Sequence, residues 1–146
     1  QGLINATKAM ASFDAFRKAQ RGEARALIEE LKENSRLCFR VVADGVDHRQ
    51  VIPKLSTTVF DRLNAAGFDF NALQRRRIAP YPGLAASDLA PWSGKTTAAL
   101  VSNIYDKLKD LRSRHEFTPE QKFNRRRLIN IHKRLLLLLR HARDES

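Results

Sequence analysis

The chain has 146 residues, 42% hydrophobic and 29% charged, enough to bury one globular core without disulfide staples. Lysine and arginine number 27 against 16 acidic residues, and the resulting net charge of +11 points to a polyanionic partner such as nucleic acid, a nucleotide or an acidic membrane surface. The lone Cys38 excludes a disulfide framework and a cysteine metal cluster within one chain, and no apolar run reaches the roughly 18 to 20 residues that cross a bilayer.

The first periodic stretch, Ser12 to Ala43, reads as helix with Ser12 as N-cap and Gly45 as the C-terminal stop. Its apolar positions include Phe13 and Phe16. Further on, Ala24, Leu27, Leu31, Asn34, Cys38 and Val41 alternate steps of three and four, the seam spacing of coiled-coil-like packing. Gly22 weakens the interior by about 1 kcal/mol relative to alanine, which predicts a kink or a separate first helix. Asn34 on the seam is a candidate for fixing register, or sits at a damp edge.

The middle is choppier. A short helix is expected over Asp47–Ile52, ended by Pro53. A second, capped by Ser56 or Thr57, runs through Phe60 and Leu63 to Gly67. Phe68-Asp-Phe-Asn71 leads into a third, ending in Gln74-Arg-Arg-Arg77. Pro80, Pro82, Gly83 and Pro91 make residues 78–94 an irregular connection, pinned to the core by Tyr81, Leu84, Leu89 and Trp92.

Two long helices follow. Over Thr96–Arg114, Leu100, Val101, Ile104, Tyr105, Leu108 and Leu111 form one stripe. Thr118-Pro-Glu-Gln121 carries a helix start: a capping threonine, proline in the first turn, a glutamate for the dipole, and a glutamine that can close a capping box. A turn around His115–Phe117 makes the two helices antiparallel neighbours. No segment holds a two-residue alternation for long. The reading is an all-α, single-domain helical bundle over residues 1–146, with three long helices and several short ones in the middle. The chain opens on Gln1 rather than methionine, so a preceding segment such as a membrane anchor is compatible with it, and a cytoplasmic location is expected.

The last segment, from Arg125 to Arg143, carries the sharpest functional signal. Wound at about 100° per residue, it places Leu128, Ile131, Leu135, Leu138, Leu139 and Ala142 on one side. Opposite them run two basic rows at seven-residue spacing: Arg126, Lys133, Arg140 and Arg127, Arg134, His141. Arginine forks match phosphate oxygens bidentately. A second triplet, Arg75, Arg76 and Arg77, sits where a short helix ends, a place that favours cations through the dipole. Packed together, the triplets would form one phosphate-binding surface. The bland alternative is a solvated face partly paired with Glu29, Glu30 and Glu33. Ile129 and Leu136 widen the apolar face beyond what one partner helix needs, so the helix is either central or meets a second copy of the chain.

Within that segment, Arg127-Leu-Ile-Asn-Ile-His132 resembles the R-x4-6-H motif of HEPN-family ribonucleases, small all-α domains that cut RNA without metal in a dimer cleft. The resemblance covers six residues, and Arg126 also stands within the permitted range of His132. It implies Arg127 as phosphate stabiliser and His132 as acid or base.

Ser93-Gly-Lys-Thr-Thr97 has the ending of a P-loop, but the first glycine of that motif falls on Leu89, Pro91-Trp92 fills the would-be loop, and no strand precedes it. It reads instead as a helix N-cap at Ser93 or slightly later. His48, His115, His132 and His141 lack paired ligand spacing, so neither a metal nor a cofactor is expected. The preferred functional reading is a non-enzymatic basic module that binds nucleic acid or a nucleotide-like ligand through Arg75, Arg76, Arg77, Arg126, Arg127, Lys133, Arg134 and Arg140, and forms a homo-oligomer through its C-terminal helix. The runner-up is the HEPN-like ribonuclease. A third reading is a peripheral membrane or protein-interaction domain acting through the basic amphipathic last helix.

Overall fold

A computed structural model describes the backbone from Gly2 to Asp144 and side chains from Thr7 to Asp144. Five α-helices follow in chain order: α1 (Gly2–Asp44), α2 (His48–Val51), α3 (Thr58–Ala65), α4 (Thr97–Phe117) and α5 (Phe123–Arg143). Short 3-10 segments occupy Ile52–Lys54, Phe70–Leu73 and Ala90–Trp92, and there is no strand among the described residues. The all-α, single-domain architecture with three long helices stands.

Helix α5 lies between α1 and α4 and packs on both. That position explains its wide apolar surface. Leu128, Ile131, Leu135 and Leu138 are buried with Leu27, Leu31, Cys38 and Val41 of α1 and with Leu100, Ile104, Leu108 and Leu111 of α4 in one cluster. A helix gripped from two sides must be apolar over more than one stripe. Burial pushes the Cys38 thiol up to about 12, so it behaves as a small apolar side chain.

The short middle elements are held by polar clamps from α1. Asn34, fully buried on the seam, donates from Nδ2 to the Ser56 carbonyl at 2.8 Å and accepts from the Ser56 amide at 2.9 Å. It does not sit at a damp edge: both ends of its amide hold the backbone before α3. One turn earlier, the buried Glu30 carboxylate accepts the Val59 and Phe60 amides at 2.8 and 3.2 Å, the Ser56 hydroxyl at 3.0 Å and the Tyr105 hydroxyl at 2.8 Å. Glu30 therefore caps α3 from α1 and ties both to α4. Tyr105 stacks on Phe60 at 4.2 Å, and Phe60 on Phe70 at 5.1 Å.

Several expected boundaries move. Gly22 does not divide α1, which runs through it as one helix, and Ser12 lies inside the helix rather than capping it. The glycine's helix penalty is small, and the packed half beyond it supplies the nucleus from which helix propagates toward the N-terminus. Phe13 and Phe16, expected at apolar positions, are 56% and 58% exposed, because this half of α1 extends past the bundle. Gly45 does end α1, at φ 69°, a conformation other residues resist. The short helix α2 ends ahead of Pro53 as expected, and the proline lies in the 3-10 turn that follows directly. Thr118 closes α4 rather than opening α5: its amide donates to the Arg114 carbonyl at 2.8 Å. The Gln121 amide then turns back to Thr118 at 3.1 Å, and α5 starts only at Phe123. The connecting turn needs those residues, so the capping-box pattern goes unused.

Candidate anion-binding surface

Helix α5 contains Arg125, Arg126, Arg127, Lys133, Arg134, Arg140 and Arg143 and no acidic residue. None of the ion pairs among the described residues involves any of them. The carboxylates expected to neutralise them are engaged elsewhere. Glu29 pairs with Lys32, Glu33 with Arg36, and Glu30 is buried in the α3 cap.

The two basic rows have different fates. Arg126, Lys133 and Arg140 are all exposed. At 1.5 Å per residue they stand about 10 Å apart along a line of about 21 Å. The other row rolls into the protein. Arg127 is half-buried and donates to the Asn124 Oδ1 at 3.0 Å. Arg134 is half-buried and donates to the Asn130 carbonyl at 2.9 Å. His141 is buried, with its Nε2 2.8 Å from the Thr97 hydroxyl. That hydroxyl also donates to the Gln74 carbonyl at 2.6 Å, tying the His141 ring to the start of α4 and to the Gln74 turn. Burial first, and then the Arg76 charge, lower the His141 pKa, with a hydrogen bond to the Arg76 backbone and the Asp144 charge pulling the other way.

The two arginine triplets do not meet. Arg75 pairs with Asp69 at 2.6 Å, Arg76 donates to the Asp144 carbonyl at 3.0 Å, and Arg77 donates to the Gly94 carbonyl at 3.0 Å. They gather where α5 ends, whereas Arg125–Arg127 occupy its first turn, about 27 Å away along the axis. Of the Arg75–Arg77 triplet, Arg76 stands at the far end of the exposed row, beside Asp144. Tyr81 lies there, with the Arg140 guanidinium 4.1 Å above its ring and its hydroxyl donating to the Asp144 carboxylate at 2.8 Å. Burial and then that hydrogen bond raise the Tyr81 pKa, with Arg140 and Arg76 pulling the other way. Tyr81, Lys133 and Arg140 border a groove of about 250 Å3 floored by Leu137. Sequence reasoning placed Tyr81 only as a core pin; its pairing with Arg140 spans the chain and has no local signal.

Arg127 and His132 point apart. Five residues on a helix separate them by about 140°. His132 is 6% exposed and meets the Phe39 ring edge-on at 6.4 Å, and its Nε2 has no partner. Burial lowers its pKa. Within one copy the pair shares no cleft.

The Ser93–Thr97 segment has no phosphate cradle. The Gly94 amide donates to Ile78 at 2.8 Å and the Lys95 amide to Trp92 at 3.1 Å, so both are engaged. Thr96 is the α4 cap, accepting the Ala99 amide at 3.2 Å. No three metal-ligating side chains converge among the described residues. No helix there is long and apolar enough to cross a membrane, and the leucine face of α5 is inside the core, closed to lipid. Compared with family models, curated proteins and solved structures, the chain matches none.

Proposed function

We propose that the protein is a non-enzymatic module that binds nucleic acid along the outward row of α5. The observation that carries this reading is the absence of any carboxylate partner, among the described residues, for the cations of α5. Cations without protein counter-charges are those most available to phosphates, and releasing the counterions around a nucleic acid then drives association. Arg126, Lys133 and Arg140 supply the line, Arg76 extends it, and Tyr81 offers a ring face at the end where bases can stack. A line of about 21 Å exceeds what one nucleotide can engage, which favours a strand over a mononucleotide. Arg75, Arg77, Arg127 and Arg134 take a supporting part, since each already donates within the protein.

Fluorescence anisotropy with labelled single-stranded and duplex oligonucleotides across a salt series tests the reading. Replacing Arg126, Lys133 and Arg140 together by alanine lowers the slope of log K against log salt by about 2 to 3. Arg114→Ala, at a cation paired with Asp110 on α4, leaves the slope unchanged. Negligible binding at low salt, or a slope indifferent to the triple replacement, overturns the proposal. A homo-oligomer through α5 has Leu136 as its apolar contact, 52% exposed beside Phe39. Sedimentation velocity of Leu136→Glu against the parent tests that contact.

A further inference from the structure

The first half of α1 faces solvent along its described side chains. Every residue from Thr7 to Ala19 is exposed, including Met10 at 68%, Phe13 and Phe16. From Gly2 to Gly22 this arm extends α1 by about 31 Å. Two of the three large apolar residues between Thr7 and Ala19 share the phase of the packed half. Turning at 100° per residue, Met10 and Phe13 fall on the line of Ala24 and Ile28, where α1 rejoins the bundle. Ala24 and Ile28 form one wall of a groove of about 440 Å3 between α1, the Phe70–Leu73 turn and α5. Leu73 and Leu139 floor it, while Arg25, Lys32 and Arg143 stand around it, and no acidic residue lines it among the described residues. Met10 and Phe13 thus share the phase of the groove wall, and Arg17 and Arg21 occupy the same line between them and the concave, cation-rimmed seat.

Charge selects the occupant. Within about 60° of the Met10–Ile28 line, α1 carries Arg17, Arg21, Arg25 and Lys32 against the single acid Asp14. Neither Arg25 nor Arg143 has a carboxylate within ion-pair reach among the described residues. A second copy laid on this stripe brings the same cations against themselves, which electrostatic complementarity disfavours. A flat bilayer meets the guanidinium rim without filling the floor between three elements. We propose that the α1 arm and the groove at its root dock an acidic amphipathic helix from another protein, which completes the bundle by laying an apolar stripe along Met10, Phe13 and Ile28 with its carboxylates toward Arg17, Arg21, Arg25 and Arg143. This is the helix-in-groove mode of recognition, with anchors spread over about 27 Å of α1.

The test uses the whole chain and two synthetic helical peptides with identical leucine stripes, one flanked by glutamate and the other by lysine. Titration calorimetry gives at least tenfold tighter binding of the glutamate peptide. Phe13→Ser, on the unpacked arm where the core cannot be disturbed, weakens it at least fivefold. Ile28→Glu, checked for folding by circular dichroism, abolishes it. Alanine at Arg126, Lys133 and Arg140 leaves it unchanged, so this site and the nucleic-acid reading fail separately. Equal binding of the two peptides overturns the proposal, as does indifference to Phe13→Ser. Flotation with phosphatidylserine vesicles that depends on Phe13 in place of peptide binding, or an arm-dependent dimer in sedimentation, assigns the stripe to lipid or to a second copy and overturns it likewise.

Discussion

Glu30 is the most consequential polar side chain of the core, and its removal has a size that the structure sets. Its carboxylate accepts four donors from three places: the Ser56 hydroxyl, the Val59 and Phe60 amides in the first turn of α3, and the Tyr105 hydroxyl of α4. In Glu30→Ala, Ser56 and the half-buried Val59 amide can turn to water. Phe60 and Tyr105 are buried and cannot. Two buried donors left unpaired cost about 1 to 3 kcal/mol each, and loss of an anion at a helix N-terminus adds about 0.5 to 1 kcal/mol. The expected loss is about 2.5 to 7 kcal/mol, a large share of the roughly 5 to 15 kcal/mol that holds such a domain. Tyr105→Phe provides the internal control. It removes one bond, leaves Glu30 three donors and keeps the ring on Phe60, so it costs about 1 kcal/mol. Urea unfolding followed by far-UV circular dichroism and by tryptophan fluorescence measures both variants. A Glu30→Ala loss below about 1 kcal/mol, or equal losses for the two variants, refutes the assignment of Glu30 as the joint of α1, α3 and α4.

The buried histidines predict a pH response. His132 and His141 have folded pKa values below their unfolded value of about 6.5, both chiefly through burial, so the unfolded chain binds more protons in mildly acidic solution. Stability is full above that unfolded value and falls as pH drops below it; His141→Gln flattens the fall in thermal melts, and an unchanged profile in that variant counts against the linkage. Gly22→Ala adds a methyl with nothing within 4 Å on a helix interior. The gain of about 1 kcal/mol in local helix stability raises amide-exchange protection in the arm about fivefold and leaves global unfolding unmoved, because the arm is not packed. A shift in the global midpoint instead shows that the arm belongs to the cooperative core.

Local chemistry settled much of the architecture in advance. The stripe of α4 from Leu100 to Leu111, the seam of α1 from Leu27 to Val41, the stop at Gly45 and the leucine face of α5 are period and capping effects, carried by neighbours within a turn or two. The same locality explains the misses. Thr118-Pro-Glu-Gln carries every mark of a helix start, yet the length of turn needed between α4 and α5 decided otherwise. Gly22 reads as a breaker because propensity is local, whereas continuity of α1 comes from the packed half beyond it.

The candidate surface divides in the same way. That α5 carries cations and no acid is plain in the sequence, as is the seven-residue spacing of its rows. Which row faces water was not, because both sit on the polar half of the helical wheel. The choice fell to α4, whose Thr97 draws the His141 row inward while Arg126, Lys133 and Arg140 stay outside. Nor could the sequence say that the two arginine triplets sit at opposite ends of α5, or that Tyr81 would lie beneath Arg140. Periodicity assigns residues to the faces of their own helix; which helix covers which face, and which charges then find partners, depends on contacts between residues distant in the chain.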